Sequence, residues 1–297
     1  MSTAVPVPPA VPVGRVALWM TGAIGSFSAM AIAGRAVSLD HDTFELMLYR
    51  SIVGIVIVVA VAGALGRLGE VTTKNLGLHA VRNVFHFTGQ NLWFYAITVV
   101  PLARVFALEF TSPLWALRLA PLILGERLTR TRVLVAALGF CGILIVARPF
   151  SGAADPNLLF AAASAIGFAG SAVFTRLLTR TTTIVCILFW LTVMQAVFGV
   201  ICAGFDGDIA LPTLRALPWL VVIGCAGLLA HFCLTNALSL APATVVLPID
   251  FLRLPLIAVL GMLIYGEPLD PWVFLGGGVI IAATVANMRS EHRAAQL

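Results

Sequence analysis

Four polar side chains recur along one apolar stretch of the chain, at spacings that place them on one face of a helix. They are His79, Asn83, His86 and Gln90, and Trp93 continues the same stripe. Residues at i, i+4, i+7 and i+11 lie above one another on an α-helix. Their imidazole and amide groups could face a cavity that binds a polar solute, or form a hydrogen-bonded seam with a neighbouring helix. Because four such groups share one stripe, the pattern favours the cavity.

Two acids also fall inside apolar stretches. Glu109 has no basic residue at i±3 or i±4, so it either pairs across helices, binds a substrate amine or is protonated. Asp250 has Arg253 three residues later, which predicts an intrahelical ion pair as its structural role. Charged groups inside a membrane are costly and usually functional, so these three residues form a candidate proton or charge-pair site. His231 and Asn236, in a later apolar stretch, complete the candidate substrate-binding set.

The motifs of common enzymes are missing from the sequence. It contains no HExxH zinc motif, no G-x-S-x-G nucleophile and no G-x-x-x-x-G-K-[ST] phosphate loop. His79 and His86 share a helix face, but no second cluster of metal ligands accompanies them. The five cysteines lie in apolar stretches and form no CxxC pair, which is typical of small core residues. We therefore expect no catalytic residues, no metal and no cofactor, and an intramembrane enzyme is the disfavoured alternative.

Composition indicates the environment of these residues. Of the 297 residues, 60% are hydrophobic and 10% are charged, whereas soluble domains carry about 25% charge. A membrane-spanning helix needs about 20 apolar residues, and the sequence predicts an all-α membrane protein with ten such spans. They are Val16–Gly34, Thr43–Leu65, Leu76–Ile97, Pro101–Leu124, Arg132–Ala147, Asn157–Leu178, Thr181–Gly204, Ala216–Leu240, Pro242–Tyr265 and Pro271–Met288.

The sequence repeats at an offset of 141 positions. Between Tyr95–Leu134 and Asn236–Leu275, 11 of 40 positions are identical without a gap. This predicts two five-helix repeats, residues 16–148 and 157–289, with flexible cytoplasmic tails at 1–15 and 290–297. Since five is an odd number, the repeats would enter the membrane from opposite sides, and such inverted repeats bind substrate between their halves.

Prolines interrupt the fourth and ninth predicted spans. Pro113, Pro248 and Pro255 each remove a backbone hydrogen bond and bend a helix. Broken helices at corresponding places of two repeats indicate a transport site, although kinks also serve packing alone. We interpret the three prolines as candidate hinges.

The distribution of basic residues predicts the orientation in the membrane. With the N-terminus in the cytoplasm, cytoplasmic segments carry ten basic residues and external segments carry three, as the positive-inside rule requires. Both termini are therefore predicted to be cytoplasmic, in a bacterial-type inner membrane. The net charge of +5 follows from this topology, so no nucleic-acid partner is expected. Short loops leave no evident partner domain, which favours a monomer in contact with membrane lipids.

These features resemble the EamA family of the drug/metabolite transporter superfamily. The stretch that carries the resemblance contains Tyr95-Ala96, Pro101, Pro113, Gly125-Glu126-Arg127-Leu128, Gly139 and Gly142. The second repeat keeps Ala237, Pro242, Gly266-Glu267 and Leu269, but has Leu254 where the first has Pro113. The resemblance implies ten spans and transport of small metabolites, often export of amino acids.

The expected function is therefore that of a secondary transporter, an exporter of small metabolites and first of all of amino acids with broad specificity. Alternating access would move them through a central cavity between the repeats. Small four-span relatives couple protons through a glutamate in their first span, whereas the first span here has no acid. Proton coupling would then depend on Glu109. The alternative is an exporter or flippase of drugs, purines, nucleotide-sugars or lipid-linked sugars on the same fold.

Overall fold

The computed structural model of the protein consists of α-helices and two short 3-10 helices over the residues that it describes. These residues are 12–37, 41–126, 129–147, 155–205, 207–267 and 271–294. The α-helices are α1 (Val13–Val37), α2 (Thr43–Ala64), α3 (Leu76–Val99), α4 (Leu102–Glu109), α5 (Ser112–Leu124), α6 (Arg130–Ala147), α7 (Leu158–Leu178), α8 (Ile184–Ala203), α9 (Leu217–Leu240), α10 (Ala243–Ile249), α11 (Arg253–Tyr265) and α12 (Pro271–Ala294), and the 3-10 helices are Leu68–Glu70 and Asp250–Leu252.

The outer helices reach into the segments predicted as tails. Helix α1 begins at Val13, and α12 continues to Ala294. No Pro or Gly between 290 and 294 ends the last helix. Residues 1–11 and 295–297 of the predicted tails lie outside the described residues, as do Leu128 and Leu269 of the repeat match.

Seven helical segments among the described residues are long and apolar enough to cross a membrane. They include α4 with α5 as one segment and α10 with α11 as another. Helix α3 is not among the seven, because its polar stripe lowers its mean hydropathy. The apolar parts of α6 and α12 are shorter, spanning Val133–Ile145 and Phe274–Ala283. The all-α membrane class is thus confirmed, while the number of ten spans stays a prediction.

The Gly-Glu pairs end two helices in the same way. Gly125 follows α5 with φ 66°, and Gly266 follows α11 with φ 65°. This left-handed backbone is easy for glycine and stops a helix. Each pair therefore turns the chain and leaves its glutamate, Glu126 or Glu267, at a helix end.

Two helical segments are interrupted in their middle, and an acid lies at each interruption. Helix α4 ends at Glu109, and α5 begins at Ser112 with Pro113 in its first turn. Helix α10 contains Pro248 and gives way at Asp250 to the 3-10 turn that precedes α11. A missing proline N–H leaves backbone groups free to leave the helical pattern. Both acids are consequently presented at a break in the helix.

The two halves of the chain are interleaved. The most extensive helix interfaces are α1 with α9, α3 with α7, α2 with α8 and α6 with α12, and each joins the first half to the second. Helices α1, α2, α3 and α6 of the first repeat correspond to α7, α8, α9 and α12 of the second. The interface of α1 with α9 therefore corresponds to that of α7 with α3, whereas α2 with α8 and α6 with α12 each correspond to themselves. A two-fold relation between the repeats produces this arrangement of contacts.

Glycine allows the α3 and α7 backbones to meet. A Cβ added at Gly167 would lie 2.6 Å from Gly89 Cα, and one added at Gly89 would lie 3.1 Å from Gly167 Cα. Small residues at helix crossings are the usual route to close packing in membranes. The crossing fixes the position of α3, and of its polar side chains, relative to α7.

Candidate functional site

A polar cavity of about 60 Å³ lies between the two halves. Twelve of its lining residues form six pairs separated by 141 positions, so the cavity lies on the two-fold relation between the repeats. These pairs are Phe27 with Phe168, Met30 with Ser171, Gln90 with His231, Trp93 with Leu234, Glu109 with Asp250 and Ser112 with Arg253.

Two histidines meet in the cavity wall. The rings of His86 on α3 and His231 on α9 are 4.6 Å apart and nearly perpendicular. Both Nε2 atoms are buried and have no hydrogen-bond partner among the residues that the structure describes. Buried polar atoms are rarely left unsatisfied. The pair therefore offers hydrogen-bonding capacity to a molecule in the cavity.

The aromatic side chains around this pair belong to repeat-related positions. The ring of Phe27 lies 5.4 Å from that of His231, and the ring of Phe168 lies 6.4 Å from that of His86. Trp93 is buried and lines the same cavity. Flat apolar walls of this kind suit the stacking of a planar ring.

Arg253 binds two carboxylates at once. Its Nη2 donates to Glu109 Oε1 and to Asp250 Oδ2, both at 2.6 Å. Trp93 Nε1 donates to the other oxygen of Glu109, Oε2, at 2.7 Å. The guanidinium carbon also lies 5.0 Å from the centre of the Phe27 ring, a cation–π contact. The predicted Asp250–Arg253 pair is thus present, and Glu109 pairs across helices.

Two further buried arginines flank the cavity. Arg82 lines it, and its Nε donates to Thr175 Oγ1 at 3.0 Å, which ties α3 to α7. Arg50, on α2, lies behind Gln90 and donates to Gln90 Oε1 at 3.0 Å. Gly227 makes room for it, since a Cβ there would come within 2.6 Å of Arg50 Nε. Neither arginine forms an ion pair within the described part of the chain.

The structure brings together most of the residues predicted to bind substrate. His86, Gln90, Trp93, Glu109 and His231 line the cavity, together with Asp250 and Arg253.

Three predicted binding residues lie elsewhere. The buried ring of His79 faces Trp190 at 6.4 Å. Asn83 accepts a hydrogen bond from Gln195 Nε2 at 3.0 Å and so joins α3 to α8. Asn236 is half-buried and donates to the backbone oxygen of Phe232 in its own helix at 2.8 Å.

The candidate hinge prolines lie beside the cavity. Pro113 is buried in the first turn of α5, and Pro248 is buried within α10. Pro255 lies in the first turn of α11, two residues after Arg253. Among the described residues, no three His, Cys, Asp or Glu side chains come together as a metal site requires.

Sequence reasoning missed the two cavity phenylalanines and gave no role to Arg50 or Arg82. Phe27 and Phe168 look like ordinary apolar residues of a membrane helix. Extending the offset of 141 positions to the first span of each repeat matches them to each other. Arg50 and Arg82 are conspicuous as charges within predicted spans, but their place beside the cavity depends on helices distant in sequence and could not be predicted.

The same offset relates two ion pairs between helix ends. Arg35, at the end of α1, pairs with Glu267, and Arg176, at the end of α7, lies 3.9 Å from Glu126 between Nε and Oε1. Both arginines and both glutamates are 141 positions apart. Each pair therefore joins one half of the chain to the other.

The two ion pairs lie at opposite ends of the packed helices α1 and α9. Arg176 Nη1 donates to the backbone oxygen of Leu238, near the end of α9, at 2.5 Å. Trp19, near the start of α1, packs on Phe232 of α9 with ring centres 5.5 Å apart. Helix α1 thus runs antiparallel to α9, which places Arg35 at the far end.

The sequence matches the model of one known protein family over nearly its whole length. The EamA-like transporter family matches residues 14–148 and again residues 156–289. The chain belongs to the EamA-like transporter family. It is accordingly a multi-pass membrane transporter, and the resemblance drawn from its Gly-Glu and proline pattern is confirmed.

Several curated relatives are similar over most of the chain. A riboflavin transporter from Brucella anthropi is 32% identical over 223 residues, covering 74% of this chain and 78% of that protein. An S-adenosylmethionine uptake transporter from Rickettsia bellii is 26% identical over 276 residues, covering 93% of this chain and 94% of the relative. A pseudopaline exporter from Pseudomonas aeruginosa is 27% identical over 268 residues, covering 90% and 93% respectively.

Proposed function

We propose that this EamA-family protein is a secondary transporter that moves small organic metabolites by alternating access through the central cavity. The observation that carries the proposal is the lining of one buried polar cavity by six repeat-related residue pairs. A site on the two-fold relation between inverted repeats can be reached from either side when one half rocks against the other. The protein would act without catalysing a chemical reaction.

The substrate class we propose is wider than the amino acids favoured by the sequence. The names of the relatives add riboflavin, S-adenosylmethionine and pseudopaline to the candidates. Phe27, Trp93 and Phe168 support a substrate with a planar ring, and His86 and His231 offer it polar contacts. S-adenosylmethionine combines such a ring with an amino-acid group, so it fits both sets of observations. The relatives include an importer and an exporter, so export by this chain stays a proposal.

Movement is proposed to occur at the interrupted helices. Substrate contacts would come from His86, Gln90, Trp93, Glu109 and His231, while His79, Asn83 and Asn236 would hold the helices that carry them. Pro113, Pro248 and Pro255 would act as hinges, because the breaks let each helix end turn separately. A cavity of about 60 Å³ must widen to admit a flavin, which is consistent with such movement.

The proposed orientation follows the positive-inside rule. Ten spans would cross a bacterial inner membrane with both termini in the cytoplasm, and the chain would work as a monomer. Energy would come from a solute or proton gradient. Glu109 is the proposed proton carrier, because of the two acids that line the cavity it is the one whose ion pair joins the two halves.

Uptake into proteoliposomes tests the proposal. We expect saturable uptake of at least one member of a panel containing amino acids, riboflavin and S-adenosylmethionine, and its response to an imposed pH gradient reports proton coupling. His86→Ala should lower uptake, whereas Thr98→Ala, at an exposed position of the same helix, should not.

Correct insertion is verified by protease protection before uptake is measured. If the inserted protein moves no member of the panel, the proposed substrates are wrong. Drugs, purines, nucleotide-sugars and lipid-linked sugars would then be tested on the same vesicles.

A further inference from the structure

The charges around the cavity do not balance. Among the residues that the structure describes, Arg50, Arg82 and Arg253 are accompanied by only two carboxylates, Glu109 and Asp250, and both bind Arg253. In the part of the chain that the structure describes, Arg50 and Arg82 have neutral partners only. Even with neutral histidines, one positive charge remains at the site.

Both unbalanced arginines are deeply buried. Arg50 is 6% exposed and Arg82 is 2% exposed, and a charge in such a place requires a partner, water or a function. Their charges lie close enough to interact with one another and with His86 and His231. The cavity therefore has a positive side, formed by Arg50 and Arg82, apart from the two carboxylates that share Arg253.

Hydrogen-bond donors on this side are still available. Arg82 uses Nε for Thr175 and Nη1 for Asn83 Oδ1, and its Nη2 donates to no acceptor within the described ranges. The Nε2 atoms of His86 and His231 are likewise without partners. Guanidinium donors beside imidazoles are well suited to the oxygens of a carboxylate or phosphate.

Packing of the repeat does not require an arginine at either position. The counterpart of Arg50 in the second repeat is Leu191, which is 3% exposed, and that of Arg82 is Ile223, which is 0% exposed. The same places in the fold are thus filled by apolar side chains. The arrangement of the helices is symmetric between the repeats, but these two arginines are present only in the first repeat. They therefore make the cavity chemically asymmetric.

We propose that Arg82 and Arg50 form an anion subsite, which binds the carboxylate or phosphate group of the transported solute. Arg82 donates directly to the acid oxygens, and Arg50 supports the site from behind Gln90 with its charge. The preferred solutes then carry a free acid group next to a planar ring or an amine. This inference rests on the proposed transport through the same cavity.

Two matched solute pairs test the inference in proteoliposomes. Riboflavin 5′-phosphate is compared with riboflavin, and S-adenosylmethionine with its decarboxylated form, so each pair differs by one acid group. The membrane potential is held at zero, because it would otherwise drive charged solutes by itself. We expect the acid member of a pair to be preferred by about tenfold or more, as charge-assisted hydrogen bonds provide. The two pairs distinguish phosphate from carboxylate recognition.

Three variants assign the preference to the subsite. Arg82→Gln should abolish it, Arg82→Lys should keep part of it, and Arg50→Gln should weaken it. Arg118→Gln removes the same charge from an exposed position of α5 and should leave the preference unchanged. Equal transport of both members of each pair would overturn the anion subsite and leave the transporter proposal standing.

A binding measurement separates failure of the subsite from failure of the transport proposal. The melting temperature of the purified wild type should rise with inorganic phosphate relative to chloride of equal ionic strength, and that of Arg82→Gln should not. This shift supports the subsite even if none of the four solutes is transported. Identical responses of the two proteins would contradict it, whatever the transport result.

Discussion

At the scale of single residues, Arg253 determines the state of both cavity acids. One guanidinium nitrogen serves Glu109 and Asp250 together, and Trp93 adds a neutral donor to Glu109. Removing one partner from a buried charge network leaves its other members less well compensated. The acids and Arg253 are therefore expected to respond to substitution as a unit.

Glu109→Gln is expected to lower transport by about tenfold, since one charge-assisted hydrogen bond is lost. Membrane insertion should be unaffected. The initial uptake rate and the melting temperature are measured together. Glu70→Gln is the control, because Glu70 pairs with Arg67 outside the cavity. A wild-type rate in Glu109→Gln would exclude this carboxylate from the transport cycle.

The sequence predicted polar residues of the cavity better than its aromatic and basic ones. The i, i+4 spacing identified the face of α3 that carries His86 and Gln90, because a polar group in an apolar helix is conspicuous. It could not show that Asn236 turns back to its own backbone, since periodicity carries no rotamer information. Nor could it place Arg50 beside Gln90, because that contact joins residues 40 positions apart on different helices.

At the scale of helices, the crossing of α3 and α7 leaves no space for side chains. Gly167→Ala would place a Cβ 2.6 Å from Gly89 Cα, so backbone must move. We expect a loss of about 1–3 kcal/mol in the free energy of unfolding, measured by denaturant titration in detergent.

Gly25→Ala is the matched control for this crossing. Nothing lies within 4 Å of a Cβ at Gly25, which is also a helical glycine. The substitution should be neutral or stabilise the protein by up to about 1 kcal/mol. Equal effects of the two substitutions would mean that the α3–α7 crossing is not tightly packed.

The interrupted helix around Asp250 provides a test of the proposed hinges. Pro248→Ala restores a backbone N–H within α10 and should stiffen the break. We expect a severalfold lower maximal transport rate with little change in KM. Pro218, in the first turn of α9, is a position where proline is tolerated without a bend. If Pro218→Ala slows transport as much as Pro248→Ala, the effect does not come from the hinge.

The helices themselves were largely predictable, while their pairing was not. Apolar length and the Gly and Pro boundaries predicted segments close to α1, α2 and α7. Each of these packs most extensively on a helix of the other half, and such partners are chosen by side-chain fit between distant segments. The number of ten spans stays a prediction, because the polar stripe of α3 keeps that helix outside the seven segments that are long and apolar enough to cross a membrane.

At the scale of the whole molecule, the two end pairs are expected to close opposite entrances of the cavity. Glu267→Gln removes the charge that holds Arg35, and Glu126→Gln removes the one beside Arg176. Each change should favour opening at its own end. Because partly exposed ion pairs contribute up to about 1 kcal/mol, the shift in accessibility should be about two- to fivefold.

A single cysteine reports this accessibility. The five native cysteines are replaced and Leu247, which lines the cavity, is changed to cysteine. A membrane-impermeant maleimide is then applied from one side of sealed vesicles or from the other. The two glutamate variants should change labelling in opposite directions. A change in the same direction would show that the pairs do not act at separate ends.

The interleaving of the halves also determines how the protein is made. The first half leaves the ribosome before α7, α8, α9 and α12, the main packing partners of its helices, have been synthesised. At about 5–20 residues per second, the remaining roughly 150 residues take about 8–30 s. During that interval Arg82 and the polar stripe of α3 are not yet covered by α7, the helix on which α3 packs most extensively. Yield in the cell should therefore depend on the speed of elongation and on insertion chaperones more than on the stability of the finished fold.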